Sequence, residues 1–122
     1  MEYNFDNNIP IYVQLSEMIR IEIISGKLKP GEKIPSVREL SIMVKANPNT
    51  IQKALMELEK EKLIYTERTN GKYITNDNKL ILKYKNKIIQ EKMSTFLEDM
   101  MKIGIDINDI KKYLQDMKGN NK

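Results

Sequence analysis

The chain of 122 residues contains neither cysteine nor histidine. Disulfides are thereby excluded, together with Cys/His zinc sites and every catalytic scheme built on a histidine base or a cysteine nucleophile. Glycine is scarce: five residues, scattered at positions 26, 31, 71, 104 and 119. That scatter leaves no phosphate-cradling loop of the GxGxxG or GxxxxGK kind. No apolar run approaches the ~18 residues of a membrane span. The opening Met1-Glu2-Tyr3-Asn4-Phe5-Asp6 is too acidic and polar for a signal peptide. The remaining catalytic side chains are carboxylates, Ser, Thr, Tyr and Lys, and no arrangement of them stands out. The expectation is a cytoplasmic protein with no catalytic residue, no metal site, no cofactor and no membrane partner.

What is present suffices for a core, with 40% hydrophobic and 31% charged residues. The length allows one domain or one and a half, since domains run to ~100–150 residues. Net charge is +4 and unevenly spread: residues 1–75 carry 11 basic and 10 acidic side chains, residues 76–122 carry 10 and 7. A mild positive balance permits nucleic-acid binding without demonstrating it, so any DNA-binding face in the first part must come from local clustering.

Residues 1–9 read as a polar arm bearing Tyr3 and Phe5. Pro10 opens a helical pattern in which Leu15, Met18, Ile19 and Ile23 share one face, and Gly26 suits its C-terminal end. Residues 27–35, with Pro30, Gly31 and Pro35, form a turn-rich connector holding at most a short strand around Glu32–Ile34. Ser36 and Glu39 have the spacing of a capping box, starting a second helix that buries Val37, Leu40 and Val44. Asn47 and Pro48 must end that pattern and start another. Asn47 suits the N-cap and Pro48 the first helical position of a helix reaching about Glu61, with Ile51, Ala54, Leu55 and Leu58 facing the core. Two β-prone runs, Leu63–Arg68 and Lys72–Thr75, flank Thr69-Asn70-Gly71, and Asn-Gly in such a place is a strong hairpin signal.

Residues 76–78 read as a polar hinge before a long helix from about Lys79 to Ile103. Along it Leu82, Ile89, Met93, Phe96, Met100 and Ile103 recur at steps of 7, 4, 3, 4 and 3, an a/d-like seam. Gly104 ends it. Asp106 and Asp109 resemble a capping box for a last helix with the stripe Ile107, Ile110, Leu114 and Met117, and residues 118–122 read as a frayed polar tail. Such a seam is more often an oligomer or core surface than a cofactor site. The fold class is therefore mainly α with a small β-hairpin: a winged helix-turn-helix in residues 1–75, followed by a two-helix dimerisation segment in residues 76–122. The seam residues Leu82, Ile89, Met93, Phe96, Met100 and Ile103, with Ile110 and Leu114, are its candidate contacts.

The order helix, helix, tight turn, helix, hairpin carries a docking logic. The third helix enters the major groove by its N-terminal turn, the second braces it across the backbone, and the hairpin reaches an adjacent groove or phosphate. At ~100° per residue, and with Ile51 as core centre, Asn49, Lys53 and Met56 lie opposite the core, flanked by Thr50 and Gln52. Amides pair with adenine edges, lysine reaches guanine or phosphate, and the helix N-terminus favours a phosphate. Taken singly, Asn47 and Thr50 suit caps and Lys53 a solvated face; as a set, Asn47, Asn49, Thr50, Gln52 and Lys53 favour DNA contact. Arg38 lies on the outer face of the second helix and, taken alone, reads as an exposed residue paired with a nearby Glu. Ile42 also points outward, and the sequence alone does not explain it unless another helix covers it. At the hairpin tip Arg68 and Lys72 bracket Asn70-Gly71, more charge than turn chemistry requires.

The runs Pro10-Ile11-Tyr12-x-Gln14-Leu15 and Pro30-Gly31-Glu32-x-Ile34-Pro35-Ser36-Val37-Arg38-Glu39-Leu40 resemble the GntR family of bacterial transcription regulators. Asn47-Pro48-Asn49-Thr50-Ile51-Gln52-Lys53-Ala54 and Leu58-Glu59-x-Glu61-x-Leu63-Ile64 continue the resemblance in register through residue 75. The short tail is similar to the YtrA-like subfamily, whose members pair the winged domain with a two-helix dimerisation segment and typically repress transporter operons. The resemblance implies DNA contacts at Arg38, at Asn47, Asn49, Thr50 and Gln52, and at the wing tip Arg68–Lys72, including Asn70 and Gly71. The chain departs from the pattern at Pro48 and Gln52, where many members carry arginine, and at Thr69, where glycine is common. The expected function is a homodimeric repressor on a palindromic operator of double-stranded DNA, with room at the dimer seam for a small-molecule effector of unknown identity. The alternative is a helical interaction adaptor with a winged domain that binds no DNA.

Overall fold

The computed structural model describes residues 4–120, with the backbone alone for Asn120. In chain order the elements are α1 (Ile11–Ile24), α2 (Val37–Val44), α3 (Pro48–Lys60), β1 (Ile64–Glu67), β2 (Gly71–Ile74), α4 (Asn78–Lys102) and α5 (Ile107–Asn120). They group into two compact units, residues 1–85 and 86–122.

In the first unit, Leu15, Ile19 and Ile23 of α1, Leu40 and Val44 of α2, and Ile51, Ala54, Leu55 and Leu58 of α3 meet around one core with Ile34, Leu63, Ile64 and Ile74. These are the apolar positions that the helical periodicity selects. Each fully buried Leu or Ile contributes roughly 1.5–3 kcal/mol. Helix α2 begins with the expected capping box: the Ser36 hydroxyl accepts the Glu39 N–H at 3.1 Å, and the Glu39 carboxylate accepts the Ser36 N–H at 3.2 Å. It ends at Lys45, whose backbone is left-handed at φ 55° and ψ 48°. The turn that follows is closed by Ser41, whose carbonyl accepts the Ala46 N–H and whose hydroxyl donates to the Ala46 carbonyl. Lys62, just past α3, is also left-handed at φ 64°. Such a conformation costs a side chain-bearing residue ~1 kcal/mol or more.

The expected arm behaves differently from a free segment in its described part. Residues 1–3 lie outside the described residues, while Phe5 packs against the core. Gln14 fastens the stretch to α1: its side-chain amide donates to the carbonyls of Asp6 at 2.7 Å and Ile9 at 2.8 Å, and its oxygen accepts the Asp6 N–H at 2.8 Å.

Strands β1 and β2 pair antiparallel with Ile64 opposite Ile74 and Tyr65 opposite Tyr73, whose rings stack at 5.8 Å. Their connection has three residues, 68–70, and Gly71 closes it at φ +100°. A two-residue type I′ turn would need positive φ at Asn70 as well, so the glycine serves a three-residue loop instead. The short strand expected at residues 32–34 is an isolated bridge, Lys33 to Tyr73, flanked by Ile34 N–H to Lys72 O at 3.0 Å and Ile74 N–H to Glu32 O at 2.9 Å. The connector thereby covers the free edge of β2. Gly31 sits in this connector at φ +78°, a conformation that favours glycine, and a Cβ there would make the Asn76 side-chain oxygen, 2.8 Å away, turn aside.

The polar hinge expected at residues 76–78 is a helix cap. Asp77 accepts the Leu80 N–H at 3.1 Å and its own N–H is held by Thr75 Oγ1 at 3.0 Å, so Asn78 already belongs to α4. Leu80, Ile81 and Tyr84 then pack on the first core. They belong with the first compact unit, which extends to Lys85. In the second unit, Gly104 at φ +82° ends the α4 segment and Asp106 and Asp109 cap α5 reciprocally at 2.9 and 3.3 Å. The frayed tail expected from residue 118 is helical through Asn120, and residues 121–122 lie outside the described part.

Candidate nucleic-acid interface

Helix α3 presents its residues in two sectors because its buried stripe is complete. Ile51, Ala54, Leu55 and Leu58 are covered, while Asn49, Gln52, Lys53 and Met56 are exposed and Thr50 is half-buried. Asn47 is the N-cap, its side-chain oxygen accepting the Asn49 N–H at 2.8 Å. That oxygen is committed to the helix, which leaves the amide NH₂ to donate outward. Asn47→Ala is therefore expected to destabilise the fold by about 1 kcal/mol, read as a lower denaturant midpoint at unchanged slope. The Lys53 ammonium lies 5.1 Å from the Tyr12 ring centre, a cation–π contact that tethers it beside α1 while leaving it exposed.

Arg38 is exposed at the second position of α2. Glu39 beside it is occupied by the cap, and the Ser36 N–H holds its carboxyl below the usual carboxylate range. Arg68, Asn70 and Gly71 are exposed at the wing tip. Lys72 is not free in the same way. Its ammonium pairs with the Glu59 carboxylate and stands 2.9 Å from Thr66 Oγ1, so it anchors the wing to α3. Burial pushes the Glu59 carboxyl up, but the hydrogen bonds from Lys72 and Thr66 outweigh it and leave the group below its ordinary value.

The wing and the start of α2 share one concave surface of about 390 Å³, lined among others by Lys33, Ser36, Arg68, Asn70 and Lys72. Lys33 escaped sequence reasoning, because only its long-range bridge to Tyr73 brings it to the wing. Thus α3 carries the amides and one lysine, and the wing surface carries Lys33 and Arg68. Groove readers need that division of labour, with amides for base edges and cations for phosphates.

The expected dimerisation residues lie along α4 and α5. Leu82, Ile89, Met93, Phe96, Ile103 and Leu114 are exposed, Met100 is half-buried, and Ile110 is buried within its own unit. Phe96, Met100, Ile103, Ile110, Tyr113 and Leu114 belong to the lining of an apolar groove of about 460 Å³. No helix among the described residues is long and apolar enough to cross a membrane.

Comparison with known proteins gives this geometry its setting. The model of the gntR family of bacterial regulatory proteins matches residues 11–74. The HTH-type transcriptional repressor YtrA of Bacillus subtilis is 36% identical over 121 residues, covering 95% of this chain and 93% of that protein. A GntR family transcriptional regulator from Listeria monocytogenes superposes with a TM-score of 0.86 at 39% identity, over 92% of this chain and 98% of the other. The crystal structure of AraR(DBD) in complex with operator ORR3 aligns with a TM-score of 0.53 at 31% identity, over 62% of this chain and 88% of the other. The chain belongs to the gntR family of bacterial regulatory proteins, with a winged helix-turn-helix as its DNA-binding part.

Proposed function

We propose that this protein is a homodimeric transcriptional repressor that reads an inverted-repeat operator through the N-terminal turn of α3, in the cytoplasm. The observation that carries the reading is the exposed group Asn49, Gln52 and Lys53 on a helix whose opposite face is fully buried. A rigidly seated helix that offers two amides and a cation suits base-edge recognition. The repressor name of the YtrA relative and the operator complex of AraR(DBD) support the assignment. Arg38 and Arg68 serve as phosphate contacts that set register, whereas Lys72 acts through Glu59 by holding the wing in place.

The second unit supports the two-fold symmetry of this reading. Among its described residues Ile110 alone is buried, and a two-helix hairpin with so little core is marginal by itself. The groove lining offers one hydroxyl, from Tyr113. Small-molecule sites bring several polar groups together, so we assign the groove to the partner chain rather than to an effector. Such a dimer reads half-sites about one helical turn apart, or a multiple of it.

Selection on random duplexes, repeated with Gln52→Ala, tests the reading. The wild type should enrich an inverted repeat, and the variant should lose preference at one position in each half-site, at a cost of ~1–3 kcal/mol. Enrichment of no sequence, with capture of a protein partner only, would favour an adaptor and overturn the assignment.

A further inference from the structure

Lys45 occupies an awkward place. It closes α2 in the left-handed region at φ 55°, where glycine would be unstrained, and its side chain is exposed. It makes no ion pair or side-chain hydrogen bond among the described residues. Attraction to the helix dipole favours a cation at a C-terminal end, and that reason accounts equally for Lys62, the other left-handed lysine, just past α3.

Position separates the two. The residues before Lys45 fix its Cα on the α2 spiral. At ~100° per residue, Arg38 and Lys45 are about 20° apart around the axis, with Ile42 about 40° from Arg38. Their three Cα atoms follow one line along α2; Ile42 within it is 70% exposed, and the Lys45 side chain, turned by its left-handed φ, is exposed as well. A rise of ~1.5 Å per residue sets the Cα atoms of the two cations ~10 Å apart along the axis, so both long side chains can reach the same stretch of sugar-phosphate backbone. Lys45 also lies two residues before Asn47, the cap of the helix that reads bases.

We propose that Lys45 is a DNA-backbone contact that holds α3 in register, the second cation of a clamp along α2 whose first is Arg38. Ile42 then meets the apolar deoxyribose carbons between the clamped phosphates, which gives an exposed isoleucine a partner. The strain at Lys45 is retained because glycine, which would relieve it, has no side chain to reach a phosphate. This inference rests on the assignment of α3 to the major groove.

The test uses full-length protein and a labelled mixed-sequence duplex, since a phosphate contact ignores sequence. Lys45→Gly should raise the thermal midpoint. It should also weaken binding by about fivefold per protomer near ~0.15 M salt and flatten the salt slope by about one unit per protomer. Lys45→Gln should show the same binding loss, and Lys45→Arg should bind as the wild type does. Lys62→Gly should raise the midpoint with binding unchanged. Wild-type affinity and slope in Lys45→Gly overturn the proposal alone, as does an equal loss in Lys62→Gly, which would mark a general charge effect. Failure of the wild type to retain any duplex overturns the groove assignment of α3 and this inference with it.

Discussion

Placing aspartate at both Ile103 and Leu114 is expected to leave the full-length protein monomeric and to weaken operator binding by about 10²–10⁴-fold. The two side chains face the apolar groove of the second unit and are 69% and 54% exposed. A residue that exposed contributes little to its own unit, so the monomer should keep its helices and its circular dichroism. The cost falls on association, where two carboxylates would be buried against a partner's apolar face without counter-charge. Affinity falls because the second winged domain is no longer held near its half-site, and the gain from a tethered second contact disappears. A chain ending at Lys85 should behave alike on DNA, since it retains the whole first core including Leu80, Ile81 and Tyr84. Sedimentation velocity decides the matter: a double variant that still sediments as a dimer would place the interface elsewhere.

Local chemistry made most of this architecture legible. The capping box at Ser36, the Asn47-Pro48 start of α3, the Asp106–Asp109 cap and the apolar stripes depend on residues within one or two turns of each other, and the structure contains each of them. Features that escaped are set by distant partners. Asn76-Asp77-Asn78 has a hinge's composition, but Leu80, Ile81 and Tyr84 find a core built by the preceding elements and pull the helix start onto it. The wing turn reads as Asn-Gly, yet the register of Ile64 with Ile74 fixes a three-residue loop. Sequence alone places Lys72 at the wing tip as a cation and does not show its partner, because Glu59 is 13 residues away. Lys33 looked like connector for the same reason. The third-helix face was legible in advance, because a complete buried stripe dictates which side chains are left outside. No sequence pattern marks the backbone strain at Lys45, which only its dihedral angles reveal.

Arg20→Ala is expected to cost the first unit about 2–4 kcal/mol, several times the effect of removing an exposed cation such as Lys60. Arg20 is 15% exposed and its guanidinium pairs with Glu61, which is 20% exposed, and with Glu17. The hydrogen bond to Glu61 keeps the guanidinium more firmly protonated than usual, against the opposing effect of burial. The cluster ties α1 to the C-terminal end of α3 and reaches the first turns of α4. There burial, with the Glu61 charge adding to it, raises the Tyr84 phenol, and Arg20 opposes both. Removing Arg20 leaves the Glu61 carboxylate, only 20% exposed, without its partner, so the loss exceeds that of an exposed contact. Lys60 pairs with Glu57 at 3.5 Å but is 70% exposed, so Lys60→Ala should change stability by no more than ~0.5 kcal/mol. Arg20→Met combined with Glu61→Gln should recover much of the loss, because the penalty comes from unpaired charge rather than from missing volume. Urea unfolding of the four proteins settles the ordering. An Arg20→Ala midpoint no lower than that of Lys60→Ala would show that water screens the cluster and that apolar packing alone holds α1 on α3.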